Sequence, residues 1–171
     1  MNSSLPAIAK SFIVTLREIT KDSVRDVCRM EVGPGQDGLV APNAVSNAQA
    51  YFHKEAWFRG LYTDEMPVGF AMLEDWSQVE GIATERYEGE PYVALWRFMI
   101  DARYQMYGFG AQAIRLLIDH ATARPGTTNM LLSFVAKENN PGIFYKRFGF
   151  ARTGEEDEGE LIMKLPLARK P

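Results

Sequence analysis

Hydrophobic positions along this chain come in short runs whose period switches between two and 3.6, and the switches delimit the elements. The β-branched run 12–16 predicts a strand, and Val24, Val27, Cys28 and Glu31, at helical spacing, predict a helix over 20–32. Gly33-Pro34-Gly35-Gln36-Asp37-Gly38 cannot continue that helix, so a loop precedes a second helix over 46–54 with Ser46 as its cap. Strand-like runs at 57–62 and 68–76 flank the turn formers 63–67 and predict an antiparallel hairpin. A polar stretch over 77–90 leads into 92–100, the densest apolar run and a natural central strand. From 108 to 123, Phe109, Ala113, Ile114, Leu117, Ile118 and Ala121 share one helical face, with Gln112, Arg115, Asp119 and Thr122 opposite, until Arg124-Pro125-Gly126 stops the helix. A strand over 130–135, a short helix over 141–147 and a hairpin of 150–154 with 160–165 complete the order β-α-α-β-β-β-α-β-α-β-β. The fold class is α/β: a mixed, mostly antiparallel sheet with flanking helices and one parallel, right-handed strand-helix-strand unit over 92–135.

Composition narrows the function. The 171 residues suit one domain spanning 1–171, and 46% hydrophobic with 24% charged residues describes a chain that folds alone. A net charge of −3 supplies no basic field for nucleic acid and suits a cationic ligand. Cys28 is the lone cysteine, which excludes an internal disulfide and a cysteine-based zinc site and fits a reducing cytoplasm. His53 and His120 stand on different predicted helices with no matching cysteine or carboxylate cluster, so no metal is expected. The start Met1-Asn2-Ser3-Ser4-Leu5-Pro6 lacks a basic segment followed by an apolar core, and the run at 93–100, broken by Arg97, is too short to span a bilayer, so neither export nor membrane anchoring is expected.

Candidate chemistry concentrates at Gln105-Met106-Tyr107-Gly108-Phe109-Gly110, between the strongest strand and the strongest helix. Unpaired amides and the dipole at a helix N-terminus favour anions, and glycines allow close approach to a phosphate. Gly108-x-Gly110-x-x-Ala113 also fits a dinucleotide fingerprint, but seven residues separate strand from glycine and no acidic residue ends the next strand near Val135.

The pattern Gln105-x-x-Gly108-x-Gly110, preceded by Phe98-Met99-Ile100-Asp101 and Arg103-Tyr104, resembles the acyl-CoA loop of the GNAT superfamily of N-acetyltransferases. Glu138-Asn139-Asn140-Pro141-Gly142-Ile143-Phe144-Tyr145-Lys146-Arg147-Phe148-Gly149-Phe150 resembles its second signature, an asparagine before a tyrosine with a Gly-Phe pair following. The segments 41–50, 68–72 and 95–98 look most like the bacterial branch acting on spermidine and related polyamines. The resemblance implies a single-domain acyl-CoA N-acyltransferase fold, acetyl-CoA as cosubstrate, a small-molecule amine such as a polyamine as acceptor, and a homodimer. It also implies that Phe98, Met99 and Ile100 line the pantetheine arm, with an N–H of Met99 or Ile100 polarising the thioester. Gln105, Met106, Tyr107, Gly108, Phe109, Gly110, Ala111, Asn139 and Phe144 would contact the cofactor, and Tyr145 would protonate the leaving thiolate. Met106 and Tyr107 stand where many relatives carry a basic or glycine residue, so the phosphates rely on main-chain amides, with Arg103 or Arg115 as helpers. Asn139 stands six residues before Tyr145, which implies a shortened helix.

Acetylation needs a neutral amine, a stabilised oxyanion and a proton for the thiolate. Glu74, Asp75 and Glu80 follow the strand beside the presumed acceptor cleft and are the candidate bases, with Glu74 foremost. Glu74, Asp75, Glu80, Glu85, Glu88 and Glu90 against Arg86 form a field for a polycation, to which Trp76 and Tyr87 would add cation–π contacts. Glu155-Glu156-Asp157-Glu158 reads as a polar hairpin turn. Two other acceptor readings stay open: a protein or peptide N-acetyltransferase with a peptide groove, and a CoA-binding sensor without turnover.

Overall fold

The computed structural model describes residues 12–78, 90–137 and 140–168. Seven strands form one sheet: β1 (Val14–Arg17), β2 (Ala56–Thr63), β3 (Met66–Asp75), β4 (Tyr92–Ile100), β5 (Asn129–Val135), β6 (Ala151–Asp157) and β7 (Glu160–Pro166), in the order β1-β2-β3-β4-β5-β7-β6. The pairing of β4 with β5 is parallel and every other pairing is antiparallel, as the helix between those two strands requires. The helices are α1 (Val24–Cys28), α2 (Asn43–Ala50), α3 (Phe109–Thr122) and α4 (Gly142–Lys146). Among the described residues, no helix is long and apolar enough to cross a membrane.

The element order matches the sequence pattern, with two boundary corrections near the start. The helix expected over 20–32 is only α1; after Arg29 the chain extends so that Met30 joins Val27, Phe70, Met72 and Met99 in an apolar cluster. The helix expected over 46–54 spans Asn43–Ala50, and Ser46 is no cap: it lies buried in mid-helix, its hydroxyl donating to the Pro42 carbonyl. Pro42 holds the cap position because its missing N–H leaves no donor unsatisfied there.

Two apolar layers sandwich the sheet. On one face Phe109, Ala113, Ile114, Leu117 and Ala121 of α3 pack on Val68, Ala71, Leu73, Val93 and Leu95; the other face carries the cluster around Val27 and Met30. Each fully buried Leu or Ile contributes about 1.5–3 kcal/mol by leaving water, so the α3 layer anchors the fold. Edge strand β1 is tied to α3 by Gln112, whose side chain accepts from Val14 N and donates to Phe12 O.

Two irregularities shape the central strands. Parallel pairing runs only from Tyr92↔Asn129 to Leu95↔Leu132; beyond it, β4 stays with β3 while β5 stays with β7, so the sheet opens between them. At the same level the register of β4 against β3 slips, since Met72 faces Arg97 but Leu73 faces Leu95. Trp96 is the extra residue, a bulge that inverts the strand's alternation: Val93 and Leu95 face α3 before it, Phe98 and Ile100 after it.

Candidate active site

The opening between β4 and β5 continues into a cleft of about 1840 Å³. The cleft runs from the N-terminus of α3 to the turn between β6 and β7.

At the α3 end the chain builds a rigid entrance. Asp101, 2% exposed, ends β4 by donating its N–H to Val68 O, and its carboxylate accepts from Arg103 N at 2.9 Å and from the Arg103 guanidinium at 2.9 and 3.0 Å. Burial pushes the Asp101 carboxyl up, but the hydrogen bonds and charge of Arg103 outweigh it and hold it below the usual carboxylate range. Gln105 donates to Ile100 O at 3.0 Å and to Gln36 Oε1 at 2.8 Å, clamping the 33–36 loop to the end of β4.

Gly108 then takes φ +84°, a conformation open to glycine, and caps α3 without a side chain. Gln112 N is the first amide to find a carbonyl, that of Gly108, so the N–H groups of Phe109, Gly110 and Ala111 have no acceptor among the described residues. Three amides converging at a helix start, where a Ser or Asp cap would have occupied one, are the kind of donor set that can hold a phosphate.

Amide direction along β4 follows from its neighbours. Asp101 N–H points to β3, and the Met99 carbonyl also points there, into the space a Cβ on Gly69 would need. Because these groups alternate sides along a strand, the N–H groups of Phe98 and Ile100 face the opening and that of Met99 does not. Of the two amides expected to polarise a thioester, Ile100 is the one aimed at the gap, while the Met99 side chain is buried beneath it.

Short helix α4 covers the opening. Phe144 stacks against Phe98 with centroids 6.5 Å apart, and Tyr145, 7% exposed, lines the cleft with its ring edge-on to Phe144 and Phe150. The Tyr145 hydroxyl has no hydrogen-bond partner among the described residues, and burial pushes its ionisation well above the ordinary phenol value.

Of the residues singled out from sequence, Glu74, Phe98, Met99, Ile100, Gln105, Met106, Gly108, Phe109, Gly110, Ala111, Phe144 and Tyr145 all border this one cleft. Tyr107 does not; it stacks on Phe109 at 6.0 Å, off the cleft. Asn139 and Glu80 lie outside the described residues, and Asn140 spends its side chain on Gly142 N and Lys137 O at the start of α4. Arg103 is committed to Asp101 and Arg115 rests over Phe148, so neither phosphate helper reaches the cleft; Arg147 does.

Of the acidic field expected over 74–90, Glu74 borders the cleft, while two other described members do not. Asp75 is paired with Arg124, and Glu90 accepts from Asn129 and Lys164, which removes both from the cleft. Glu85, Glu88 and Tyr87 lie outside the described residues, and Trp76 packs against Tyr92. The cleft takes its charge from Glu31, Asp37, Glu74, Asp157, Glu158 and Glu160, against Arg29, Arg97 and Arg147. Burial lowers the Arg97 guanidinium, while Glu160 and Glu74 raise it, so both carboxylates sit within range of the same cation. His53, expected to stand apart from carboxylates, is gathered with Glu55 and Glu74 so that their polar atoms lie within 4.8 Å of one another. Sequence reading missed Trp96, Arg97, His53 and Glu160; the one signal was Arg97 itself, a charge inside the densest apolar run.

A model of the Acetyltransferase (GNAT) family matches residues 28–150. The chain is 28% identical over 156 residues to the spermine/spermidine N(1)-acetyltransferase of Bacillus subtilis (strain 168), covering 88% of this chain and 96% of that protein. The spermidine N-acetyltransferase of Vibrio cholerae, solved with CoA and spermine, superimposes with a TM-score of 0.66 at 11% identity over 91% of this chain and 96% of that one. The PaiA N-acetyltransferase of Thermoplasma acidophilum, solved with coenzyme A, gives 0.61 at 15% identity over 90% and 98%. At such identities the structural likeness speaks for the fold. The family match takes in the diverging central strands, the capless helix start and the tyrosine helix together, and on it the chain belongs to the GNAT family of acetyltransferases.

Proposed function

We propose that this acetyltransferase moves the acetyl group of acetyl-CoA onto a primary amine of an aliphatic polyamine, spermidine or spermine. The observation that carries the acceptor is the placement of carboxylates on both sides of the opening: Glu74 on β3, and Asp157, Glu158 and Glu160 at the β6–β7 turn. Three strand spacings separate β3 from β7, about 14 Å where the sheet is paired and more where it diverges. A monoamine cannot bridge that span, whereas a chain carrying several ammonium groups can. Trp96 adds an aromatic wall for a cation. The name of the Bacillus subtilis relative supports the same acceptor class.

The residues then divide the work. Unpaired amides of Phe109, Gly110 and Ala111 hold the pyrophosphate, and the pantetheine arm enters between β4 and α4 past Phe98 and Phe144. Ile100 N–H, or that of Phe98, meets the developing oxyanion, and Tyr145 hands its proton to the departing thiolate. Glu74 draws the ammonium group to the reaction centre.

The test is an acceptor panel of spermidine, spermine, butylamine, aminoglycosides and N-terminal peptides with acetyl-CoA, read as thiol release. Spermidine or spermine with kcat/KM at least about tenfold above butylamine is the expected result. Preference for peptides refutes the polyamine acceptor, and CoA binding without turnover on any amine replaces catalysis with a sensor.

A further inference from the structure

The proton that a protonated amine must lose has a receiver on the page. His53 follows α2, and its Nδ1 stands 3.1 Å from Glu55 Oε1. The register Ala56↔Glu74 brings the Glu74 carboxylate to the same place from β3. The imidazole meets the Trp96 ring edge-on, centroids 5.0 Å apart, and borders the cleft with Trp96 and Glu74. Trp96 is the bulged residue at which β4 parts from β5, so the ring stands where the acyl arm would end. The His53 side chain is 40% exposed and that of Glu55 15%. A carboxylate on Nδ1 fixes the tautomer protonated there and leaves Nε2 with a lone pair for a ligand in the cleft.

We propose that His53 is the general base of the reaction, with Glu55 as its positioning residue and Glu74 as the carboxylate that brings the ammonium to it. This rests on the amine-acetylation reading above. The charged groups around the ring are Glu55 beside it, Glu74 from β3 and Arg97 from β4, whose guanidinium lies over Trp96 and reaches Gln49. The ammonium gives one proton to His53 Nε2, which passes it to solvent. The neutral nitrogen forms the C–N bond as the C–S bond breaks and the thiolate takes the Tyr145 proton; the second N–H proton passes to His53, which has already returned the first to solvent, and Tyr145 regains its proton from solvent, so one proton is released per turnover.

The experiment follows kcat and kcat/KM for spermidine against pH in the wild type, His53→Gln, Glu55→Gln and Glu55→Asp, with CoA affinity measured by calorimetry on each. His53→Gln is expected to lose about 10²-fold or more in kcat at unchanged CoA affinity and to abolish the acid limb of kcat/KM, leaving only the rise set by the amine itself. Glu55→Gln is expected to lower kcat with KM little changed, and Glu55→Asp to recover part of it. Wild-type turnover matched by His53→Gln refutes the inference alone, while wild-type inactivity on every amine refutes the acceptor reading and this inference with it. Should His53→Gln also lose CoA binding, an acid limb left unchanged in Glu55→Gln refutes it. Activity lost on EDTA treatment and restored by Zn²⁺ overturns it as well, because His53, Glu55 and Glu74 would then be holding a cation.

Discussion

Replacing Tyr145 by Phe separates chemistry from stability in one atom. The ring is buried against Phe144 and Phe150, with centroids 5.2 and 5.9 Å away, and a phenylalanine keeps those contacts. Its hydroxyl has no partner among the described residues, so removing it strands no donor or acceptor among them. The melting temperature should stay within about 3 °C of wild type, the shift that roughly 1 kcal/mol makes in a chain of this size. Turnover should fall by about 10² or more, about 3 kcal/mol, because the same burial that keeps the phenol neutral also makes an unprotonated thiolate costly beside it. The pH dependence carries a sign. With the folded value raised above the ordinary phenol value of about 10, Tyr145 remains a donor through pH 10; the stability it contributes is full below that pH and is lost as pH rises beyond it. Thiol release with spermidine as acceptor measures the loss. A thioester with a more acidic leaving thiol supplies the decisive control, since it needs the proton less and should narrow the gap between the two proteins. Turnover within about twofold of wild type, or an equal gap for both thioesters, refutes a proton-donor role.

Three further outcomes follow from the geometry. Gly108→Ala meets no atom within 4 Å but must hold φ +84°, at a cost of about 1–2 kcal/mol, so CoA affinity by calorimetry should drop about tenfold; an unchanged affinity removes this helix start from the cofactor site. The Asp101 carboxyl, held low by Arg103 against the opposing effect of its burial, contributes stability above the ordinary carboxylate range that is lost as pH falls through its folded value. Asp101→Asn should therefore lower the melting temperature at pH 7 and flatten its decline in acid, and parallel acid declines in the two proteins refute the pairing. Glu158→Gln with Glu160→Gln should raise KM for spermidine several-fold at nearly constant kcat, with the difference shrinking in high salt; a salt-independent KM contradicts an electrostatic role.

Legibility differed by region for physical reasons. Helix α3 was readable almost to the residue because its apolar stripe repeats over four turns and glycine and proline bound it. Helix α1 was overextended because Glu31 continues the spacing of Val24, Val27 and Cys28, yet after Arg29 the chain is extended and buries Met30 from there. The glycine loop was visible because a strand-to-helix turn that passes through φ +84° demands glycine. The acidic side was legible only in Glu74, because runs of carboxylates carry no direction: Asp75 turned to Arg124, Glu90 to Lys164, and the Asp157-Glu158 turn to the cleft.

The amino-acid order alone determined the succession of elements, the α/β class and the glycine-led helix start without a side-chain cap, because periodicity, turn residues and a missing side-chain cap act over a few neighbours. Tertiary structure alone decided which carboxylates share the cleft, which amide of β4 faces it, and that His53 meets Glu55 and Glu74. Those outcomes depend on a single bulged residue at Trp96 and on strand pairings between distant segments. In a run as densely apolar as 92–100, either phase of the alternation buries apolar side chains, so local pattern does not say where the sheet shifts from one to the other.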